Sequence, residues 1–566
     1  MEAANQICNI AISLLVAHGV KHVVLSPGSR NAPLIVAAAK NESLHKVTIV
    51  DERSAAFVAL GIASSTNGKH PVALICTSGT ALLNYSPAIA EAYYRNLPLI
   101  VISADRPYEW IDQDDSQTLN QFEALSKFVK KSYNIPPTCQ TYNQEWYVNR
   151  IVNDALITAN CGKKGPVHLN IQLDEPLSQY IGDYLGNPRV ISMPLIHSAV
   201  DPIFVENIIK EKKLNHKRVL IIAGFQNCED DLWSTSLNNN LDKILSSNSN
   251  YVLLTESISN LKCKKAINNI DRNLYNINAD KTFDIKPDIV ITFGGALISR
   301  FIKQYLRKNN SIEHWHIGLT DTTIDSFQSL TYRINILPGT FFSILNESTI
   351  DTQSDIDYQK EWNDLVMFSE NKHNNYVQKC EWSDLKAFSI FLPMLKGNLH
   401  LSNGTPIRYH QLFDMNPNIN KIYCNRGVSG IDGSTSTAIG CALTTSEPTF
   451  LVTGDLSAQY DVSALSINNV PSSFKMIVMN NGGGGIFRFI KSTSHLAEVE
   501  EYFATKPNLP LKALAEGYNF NYFEANNEME LIEILPHFIE STNKPTILSI
   551  NTHPIISANI LSNYFN

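Results

Sequence analysis

The chain has 566 residues, enough for three or four domains of ordinary size. Hydrophobic residues make up 44% and charged residues 18%, as in an ordinary globular enzyme, and no apolar run is long enough to predict a membrane-spanning helix. The formal net charge of −8 argues against nucleic acid as the main partner.

The N-terminal segment predicts an amphipathic helix rather than a signal peptide. It begins with an acidic stretch and has neither a basic n-region nor a small-residue cleavage site. Its apolar residues repeat at helical spacing, at Ile7, Ile10, Ala11, Leu14 and Leu15.

The spacing of the cysteines indicates the cellular compartment in which the protein works. Nine occur along the chain without any Cys-x-x-Cys pair, so zinc and thioredoxin-like sites have no support. Scattered cysteines of this kind are typical of buried thiols in a reducing compartment, and we expect a cytoplasmic protein.

Short apolar strands alternate with helical patterns in three blocks. The first has predicted strands at His22–Ser26, Val47–Val50, Val72–Cys76, Leu99–Ser103 and Val167–Ile171, with helices at Leu34–Ala39, Arg53–Ser64 and Ala81–Tyr94. The second has predicted strands at Val219–Ala223, Val252–Thr255, Ile289–Phe293 and His314–Ile317. The third has them at Lys421–Cys424, Thr449–Val452, Met476–Met479 and Thr546–Ile550. The alternation predicts an α/β fold of three consecutive parallel-sheet domains.

Shifts in composition predict the domain boundaries. A stretch rich in glycine and proline separates the first two blocks, at Gly182, Gly186, Pro188 and Pro194, and residues 346–379 are polar. We therefore predict a first domain over residues 1–185, a central domain over 186–350, a linker with a connecting helix over 351–395 and a last domain over 396–566.

The first and third blocks echo each other. Ser54–Ala63 resembles Ser434–Ala442, and in both segments a glycine, Gly61 or Gly440, lies inside an apolar helix that precedes the next strand. Two related domains would then flank a divergent one. Short similarities of this kind arise by chance as often as by relationship.

Two strand ends in the third block carry the strongest chemical signal. The strand Thr449–Val452 leads into Gly454 and Asp455, and 26 positions after Asp455 comes Asn481, followed by the glycines 482–485. Ligands bind at the carboxyl ends of strands in open parallel sheets, and glycines let the backbone approach a phosphate. Carboxylate, amide and carbonyl oxygens suit Mg²⁺. Each element alone is more often an ordinary turn, but the pair favours a metal–diphosphate site.

The pair of motifs resembles the signature of the thiamine-diphosphate-dependent enzyme family, Gly-Asp-Gly followed by Asn-Asn. Leu456 replaces the third residue of the first motif. Gly-Asp-Leu-Ser, over residues 454–457, together with Asn480–Phe487, is similar to one branch, the 2-succinyl-5-enolpyruvyl-6-hydroxy-3-cyclohexene-1-carboxylate synthases of menaquinone biosynthesis.

Further motifs of that branch occur in the same order along nearly the whole chain. They are Ser26–Pro33, Asp51–Arg53, Ala104–Pro107 with Gln117, Gly294–Leu297 with Arg300, Asn403 with Arg408, and Asn425–Gly433. Two positions depart from the pattern. Gly404 stands where a serine that contacts the diphosphate is expected, and Ser299 stands where some relatives carry a lysine.

The resemblance implies thiamine diphosphate and Mg²⁺, or Mn²⁺, as cofactors. It makes Asp455, Asn481 and Gly483 the metal ligands, in a diphosphate-binding last domain. It makes Glu52 the catalytic glutamate that activates the cofactor, in a pyrimidine-binding first domain. The other implied cofactor-binding residues are Asn403, Ile431, Gly454, Leu456, Ser457, Gly484, Ile486 and Phe487.

The resemblance also implies a transferase that decarboxylates 2-oxoglutarate and adds the succinyl carbanion to isochorismate. Both substrates carry two carboxylates, and arginine binds carboxylates in bidentate fashion. A single loop arginine is more often a surface residue, but five in matching motifs suit such substrates. The implied substrate-binding residues are Ser29, Arg30, Arg106, Gln117, Arg300, Arg408 and Arg426.

Three alternatives remain open. Another enzyme of the family, such as an acetolactate synthase or a keto-acid decarboxylase, would often use a monocarboxylate and need fewer arginines. A non-catalytic relative tends to lose the metal site, whereas Glu52, Asp455 and Asn481 are all present. A nicotinamide dehydrogenase is disfavoured because the Gly-x-Gly-x-x-Gly fingerprint is missing after the first strand of every block.

The family also implies an assembly. In it, the glutamate and the diphosphate site of one catalytic centre come from different chains, so we expect a homodimer or a dimer of dimers. Glu52 and Asp455 lie in similar blocks at opposite ends of this chain, which permits such sharing. A single chain that folds back on itself is the alternative.

Overall fold

The computed structural model describes residues 2–175, 177, 188–193, 200–226, 231–277, 283–309, 312–349, 354–490 and 492–565. Gly182, Gly186 and Pro194 of the predicted linker lie outside these residues, as do the boundaries predicted at 185/186 and 350/351. None of the helices within these ranges is both long enough and apolar enough to cross a membrane.

Strands and helices alternate through most of the chain. The first third contains α1 Glu2–Ala17, β1 His22–Leu25, α2 Ala32–Lys40, β2 His45–Thr48, α3 Glu52–Ser65, β3 Val72–Cys76, α4 Thr80–Asn84, α5 Ser86–Tyr94, β4 Leu99–Asp105, β5 Ser132–Ile135, α6 Tyr142–Asn160 and β6 Val167–Gln172. The middle contains α7 Pro202–Lys212, β7 Val219–Ala223, α8 Asp231–Ser247, β8 Tyr251–Thr255, α9 Ile270–Tyr275, β9 Ile289–Phe293, α10 Arg300–Arg307, β10 Glu313–Ile317, β11 Leu330–Ile334, α11 Pro338–Thr349 and α12 Tyr358–Lys379.

The last third follows the same pattern. It contains α13 Asp384–Phe391, β12 Gly397–Leu401, α14 Thr405–His410, β13 Ile419–Tyr423, α15 Ser434–Ala442, β14 Thr449–Gly454, α16 Asp455–Tyr460, β15 Phe474–Asn480, α17 Leu511–Gly517, β16 Asn521–Ala525, α18 Glu528–Glu540, β17 Thr546–Asn551 and α19 Pro554–Tyr564.

The strands form three sheets. Their orders are β2-β1-β3-β4-β6-β5, β11-β10-β9-β7-β8 and β13-β12-β14-β15-β17-β16, and the described strand pairs are parallel. Inner strands such as β3, β7 and β9 are buried along their whole length, as expected for parallel sheets covered on both faces. The predicted α/β class with three parallel sheets is confirmed.

The chain divides into two compact units. The first comprises Met1–Leu195, Asn425–Glu447 and Tyr460–Phe474, and contains the first sheet. The second comprises Ile196–Cys424, Pro448–Gln459 and Lys475–Asn566, and contains the other two sheets. Helix α15 therefore belongs to the first unit although it lies in the last third of the sequence.

Two predicted elements need correction. The second strand is β2, His45–Thr48, and not Val47–Val50, whose last residue is 79% exposed. The helix predicted over Ala81–Tyr94 is two helices, because Pro87 has no N–H to donate to the carbonyl oxygen of Leu83. The Ser86 hydroxyl donates to that oxygen instead, at 2.6 Å.

The segment predicted as a linker with a connecting helix contains α12 and α13. Tyr358, Trp362 and Leu365 of α12 pack into the core beside the middle sheet. Leu385 and Phe388 of α13 pack into the core beside the last sheet. Both helices are thus part of the second unit.

Candidate active site

The carboxyl ends of β14 and β15 carry the predicted metal-site residues. Asp455 is 2% exposed, and its two carboxylate oxygens accept hydrogen bonds from the N–H groups of Leu456 at 2.7 Å and Gly483 at 2.8 Å. Burial raises the pKa of Asp455, and these backbone donors oppose that rise. Because β14 and β15 are neighbours, the structure brings Asp455, Asn481 and Gly483 together. Ser457 is buried and Leu456 half-buried in the same first turn of α16.

The two consecutive asparagines at the end of β15 have different surroundings. Asn480 is exposed, and its Nδ2 donates to Asn551 Oδ1 at 2.9 Å. Asn481 is 4% exposed, and its Nδ2 donates to Asp384 Oδ2 at 2.7 Å. None of the residues that the structure describes donates a hydrogen bond to Asn481 Oδ1. The buried asparagine therefore has an amide oxygen that remains able to bind a cation.

The glycine run after Asn481 is held in a conformation that other residues would not adopt easily. Gly483 has φ of 103°, and a Cβ there would lie 2.1 Å from the carbonyl oxygen of Ala504. Gly484 donates its N–H to the same oxygen at 2.5 Å. Ile486 and Phe487 follow in a half-buried turn, where the Phe487 ring lies 5.8 Å from that of Phe503.

This donor set fits a hard divalent cation bound together with a diphosphate. A buried carboxylate, an unsatisfied amide oxygen and a carbonyl oxygen are ligands that Mg²⁺ or Mn²⁺ accepts, with phosphate oxygens and water in the other positions. Among the described residues, no cluster of three or more His, Cys, Asp or Glu side chains could hold a metal. The candidate centre therefore depends on amide and backbone oxygens, which composition alone does not reveal.

The loop after β12 lies beside the same strand ends. Gly404 caps α14 with φ of 98° and ψ of −130°, so a serine at this position would be strained. Asn403, next to it, is buried and accepts a hydrogen bond from Cys424 Sγ at 3.5 Å. Ser402 places its hydroxyl oxygen 3.4 Å from the backbone nitrogen of Gly454. The sequence analysis did not single out Ser402. Its hydroxyl comes from the residue two positions before Gly404, where a serine was expected.

Two of the predicted substrate-binding arginines belong to helices near Asp271, since Arg300 is the first residue of α10 and Arg408 lies within α14. Ser299, which precedes Arg300, is buried, caps α10 by accepting from the N–H of Ile302 at 3.2 Å, and donates to Asp271. Burial raises the pKa of Asp271, and Ser299 and the positive charge of Arg408 oppose that rise. Arg300 itself is exposed. Ser299 thus has a structural role, and the positive charge of Lys303, one turn further along α10, also acts on Asp271.

A buried glutamate fixes the Arg300 loop. Glu256 is 2% exposed and accepts hydrogen bonds from the N–H groups of Ile298 and Ser299. The neighbouring Ser257 contacts His410 Nδ1 at 2.7 Å, two residues after Arg408. No motif in the sequence indicated Glu256, because the N–H groups that it binds belong to residues far from it along the chain.

In the first unit, Glu52 begins α3 at the carboxyl edge of the first sheet. Asp51 caps the helix by accepting from the N–H of Ser54 at 3.2 Å. Burial raises the pKa of the Cys76 thiol and of the Tyr85 hydroxyl, and the negative charge of Glu52 adds to both effects. The carboxylate therefore lies near the end of β3.

Two arginines from different loops meet at this edge. Arg30 is 4% exposed and donates to the carbonyl oxygen of Leu173 at 3.1 Å and to Glu175 at 3.0 Å. Burial lowers the pKa of Arg30, and the charge of Arg106 lowers it further, so the two guanidinium groups are close. Arg106 donates twice to the carbonyl oxygen of Ser116 and pairs with Asp115 at 2.9 Å.

The remaining predicted residues of the first unit lie on loops. Ser29 and Gln117 are exposed, next in sequence to Arg30 and Ser116, and Gln117 has φ of 54°. The loop that carries Arg426 and Ile431 is anchored by Glu91, whose carboxylate accepts from the N–H groups of Gly427 and Val428 at 2.8 and 2.6 Å. Sequence reasoning missed Glu91, which is a buried helix residue without a motif.

Family models match three parts of the chain. Residues 6–124 match the thiamine pyrophosphate enzyme N-terminal TPP binding domain, residues 205–386 the middle domain of thiamine pyrophosphate enzymes, and residues 404–550 the C-terminal TPP binding domain. Thiamine pyrophosphate is another name for thiamine diphosphate. The matches follow the order of the three sheets.

Similar proteins match almost the full length. Three of them are named 2-succinyl-5-enolpyruvyl-6-hydroxy-3-cyclohexene-1-carboxylate synthase. The protein from Porphyromonas gingivalis is 37% identical over 98% of this chain and 96% of the relative. The protein from Flavobacterium psychrophilum is 38% identical over 99% of this chain and 97% of the relative. A third, in Christiangramia forsetii, is 37% identical over 98% of this chain and 97% of the relative. The chain belongs to the thiamine-diphosphate-dependent enzymes and, within them, to the family of 2-succinyl-5-enolpyruvyl-6-hydroxy-3-cyclohexene-1-carboxylate synthases.

Proposed function

We propose that this transferase decarboxylates 2-oxoglutarate with thiamine diphosphate and Mg²⁺ or Mn²⁺, and adds the succinyl carbanion to isochorismate. The product is 2-succinyl-5-enolpyruvyl-6-hydroxy-3-cyclohexene-1-carboxylate, a step of menaquinone biosynthesis. The observation that carries the proposal is the buried Asp455 beside the unsatisfied amide oxygen of Asn481 and the tightly folded Gly483. The names of the full-length relatives support the choice of substrates.

The residues of the second unit would hold the cofactor. Asp455, Asn481 Oδ1 and the carbonyl oxygen of Gly483 would bind the metal ion, which would in turn bind the diphosphate. Gly454 and Gly484 would let the backbone approach the phosphates, with Asn403, Leu456 and Ser457 beside them, and Ile486 and Phe487 would line the pyrimidine. When bound, thiamine diphosphate supplies the electron sink for decarboxylation and for carbon–carbon bond formation.

Glu52 would act on the cofactor from the first unit. Its carboxylate would hydrogen-bond N1′ of the aminopyrimidine and so favour the tautomer that removes the thiazolium C2 proton. Ile431, which is 39% exposed, offers an apolar surface that would hold the two cofactor rings bent towards each other.

The arginines would orient the carboxylates of the substrates. Arg106 is close enough to Arg30 for its charge to lower the pKa of Arg30, so a carboxylate that binds between the two guanidinium groups would relieve their repulsion. Ser29 and Gln117 would complete that site. Arg300 at the start of α10, Arg408 within α14 and Arg426 would bind the remaining carboxylates.

We further propose a homodimer or a dimer of dimers in the cytoplasm. Two halves of the chemistry, Glu52 and Asp455, belong to different units, which supports sharing of sites between chains. The eight cysteines that the structure describes are all free thiols, which supports a reducing compartment.

The decisive experiment measures carbon dioxide release. Purified protein with Mg²⁺ and thiamine diphosphate is given 2-oxoglutarate or pyruvate, each with and without isochorismate, and the organic product is identified by mass spectrometry. We expect turnover with 2-oxoglutarate and isochorismate together. Equal or faster turnover with pyruvate would favour another enzyme of the family, and cofactor binding without any carbon dioxide release would favour a non-catalytic relative.

A further inference from the structure

Asp384, the first residue of α13, is a buried carboxylate next to the candidate metal site. It is 1% exposed, and both of its oxygens accept hydrogen bonds. Oδ2 accepts from Asn481 Nδ2 at 2.7 Å, and Oδ1 accepts from the hydroxyls of Thr552 at 2.5 Å and Ser557 at 3.4 Å. All three side-chain partners donate, and both carboxylate oxygens accept.

The hydrogen bond from Asn481 determines which way its amide faces. A carboxylate oxygen can only accept, so Asn481 must turn its NH₂ group towards Asp384 and its Oδ1 to the opposite side. If the amide were reversed, two acceptors would meet inside the protein and an NH₂ group would face the site. An NH₂ group repels a cation, whereas an amide oxygen binds one.

We propose that Asp384 is a positioning residue that orients Asn481 Oδ1 towards the metal ion. The proposal rests on the metal–diphosphate site of the proposed function. Asp384 does not touch the metal or the substrate. It acts through Asn481, as an outer residue that fixes the orientation of a metal ligand.

Exchanging the two side chains tests this orientation. In Asp384→Asn, the oxygen of the new amide stays with the hydroxyls of Thr552 and Ser557, so its NH₂ group takes the place of Oδ2 and meets the NH₂ group of Asn481. The Asn481 amide must then turn over and present NH₂ to the metal. In the double variant Asp384→Asn with Asn481→Asp, the same hydrogen bond forms with donor and acceptor exchanged. A carboxylate oxygen then faces the metal.

The readout is binding of Mn²⁺ to full-length protein with saturating thiamine diphosphate, measured by electron paramagnetic resonance. Ser557→Ala is the matched control, because it removes the hydroxyl that donates to Asp384 Oδ1 and accepts from the Asp384 N–H, but keeps the bond to Asn481. Changes to outer residues of metal sites typically cost about 10–100-fold in affinity. We expect a loss of about 10-fold or more in Asp384→Asn, and affinities within about 3-fold of the wild type in the double variant and in Ser557→Ala.

The outcomes separate this inference from the proposed site. No Mn²⁺ binding by the wild-type protein would overturn the metal site itself, and the inference with it. Wild-type affinity in a folded Asp384→Asn, or a folded double variant that binds as weakly as Asp384→Asn, would overturn only the role of Asp384. Thermal unfolding reports on folding. The double variant keeps the hydrogen bond between positions 384 and 481, so we expect it to fold even if Asp384→Asn does not. In that case, a folded double variant that fails to bind Mn²⁺ would overturn the inference.

Discussion

Gly61 of α3 and Gly440 of α15 make reciprocal contacts in the first unit. A Cβ on Gly61 would lie 2.0 Å from the carbonyl oxygen of Thr437, and a Cβ on Gly440 would lie 2.2 Å from that of Val58. In each case the oxygen belongs to the residue three positions before the other glycine. The two helices thus use the same position for the same contact, which favours a genuine relationship between the echoing segments of the first and third blocks.

Replacing Gly61 by alanine is expected to destabilise the protein. The added methyl group has no room because both helices approach through their backbones, and overpacking of this kind typically costs up to about 3 kcal/mol. The temperature of thermal unfolding measures the loss. Gly517→Ala is the matched control, since no atom lies within 4 Å of its added Cβ. Equal unfolding temperatures in the two variants would contradict the close approach.

Glu52→Gln is expected to bind thiamine diphosphate and Mg²⁺ normally but to exchange the cofactor C2 proton more slowly. Glutamine keeps the shape of the side chain but is a poor partner for N1′, and loss of acid–base help typically costs about 10²–10⁴-fold. Hydrogen–deuterium exchange at C2 of the bound cofactor, followed by nuclear magnetic resonance after acid quench, measures this rate. Unchanged exchange would remove Glu52 from the mechanism.

Mixing two inactive variants is expected to restore activity if sites are shared between chains. Asp455→Ala should lose the metal, and Glu52→Gln should lose cofactor activation. In a mixed dimer with shared sites, one site receives both lesions and the other receives neither, so carbon dioxide release returns after subunit exchange. If each chain builds its own site, every site keeps one lesion and the mixture stays inactive.

Acid is expected to weaken the fold through a histidine pair in the second unit. The Thr292 hydroxyl lies 2.8 Å from His314 Nε2 and 3.0 Å from His316 Nδ1, and burial lowers the pKa of each imidazole to about 4. In the unfolded chain these pKa values are about 6.5. The folded state therefore favours the neutral imidazoles. Their contribution to stability is fully present above about pH 6.5 and is lost as the pH falls towards 4.

The pH dependence of the free energy of unfolding measures this contribution. His316→Asn should lower the number of protons taken up on unfolding near pH 5 by about one, because asparagine cannot titrate there. Three other buried histidines also have pKa values lowered to about 4, namely His168, His373 and His410. The free energy of unfolding will therefore still depend on pH in the His316→Asn variant. His537→Asn, at an exposed position, is the control for the substitution itself. An unchanged slope in His316→Asn would contradict the prediction.

The sequence predicted inner strands better than edge strands. β3, β7 and β9 agree with the prediction to the residue, because a strand covered on both faces is a continuous apolar run. The strands β5, β11 and β16 were missed. All three lie at sheet edges, where half-exposed strands such as Leu330–Ile334 need no apolar run. β12, Gly397–Leu401, was also missed, because glycine, asparagine and histidine interrupt its apolar residues although all five are buried.

Some residues of the candidate site could likewise be predicted from the sequence, and others could not. Asp455 and Asn481 could be placed together from sequence, because neighbouring parallel strands end at one edge of a sheet. Asp384 could not, because it comes from a helix in a polar stretch and acts through contacts that only the folded chain creates. Glu91 and Glu256 are similar cases, since each caps backbone N–H groups that are distant in sequence.

The placement of α15 has a consequence for biosynthesis. Helix α3 is buried from Ser54 to Ser64, and part of its cover is a helix that begins at Ser434. During translation the N-terminal segment therefore emerges with an apolar helix that its final partner cannot yet shield. The first unit also includes Tyr460–Phe474, so it becomes complete only when most of the chain has left the ribosome. We therefore expect C-terminal truncations that remove α15 to aggregate rather than yield a stable N-terminal fragment, and the soluble fraction of such truncations measures this.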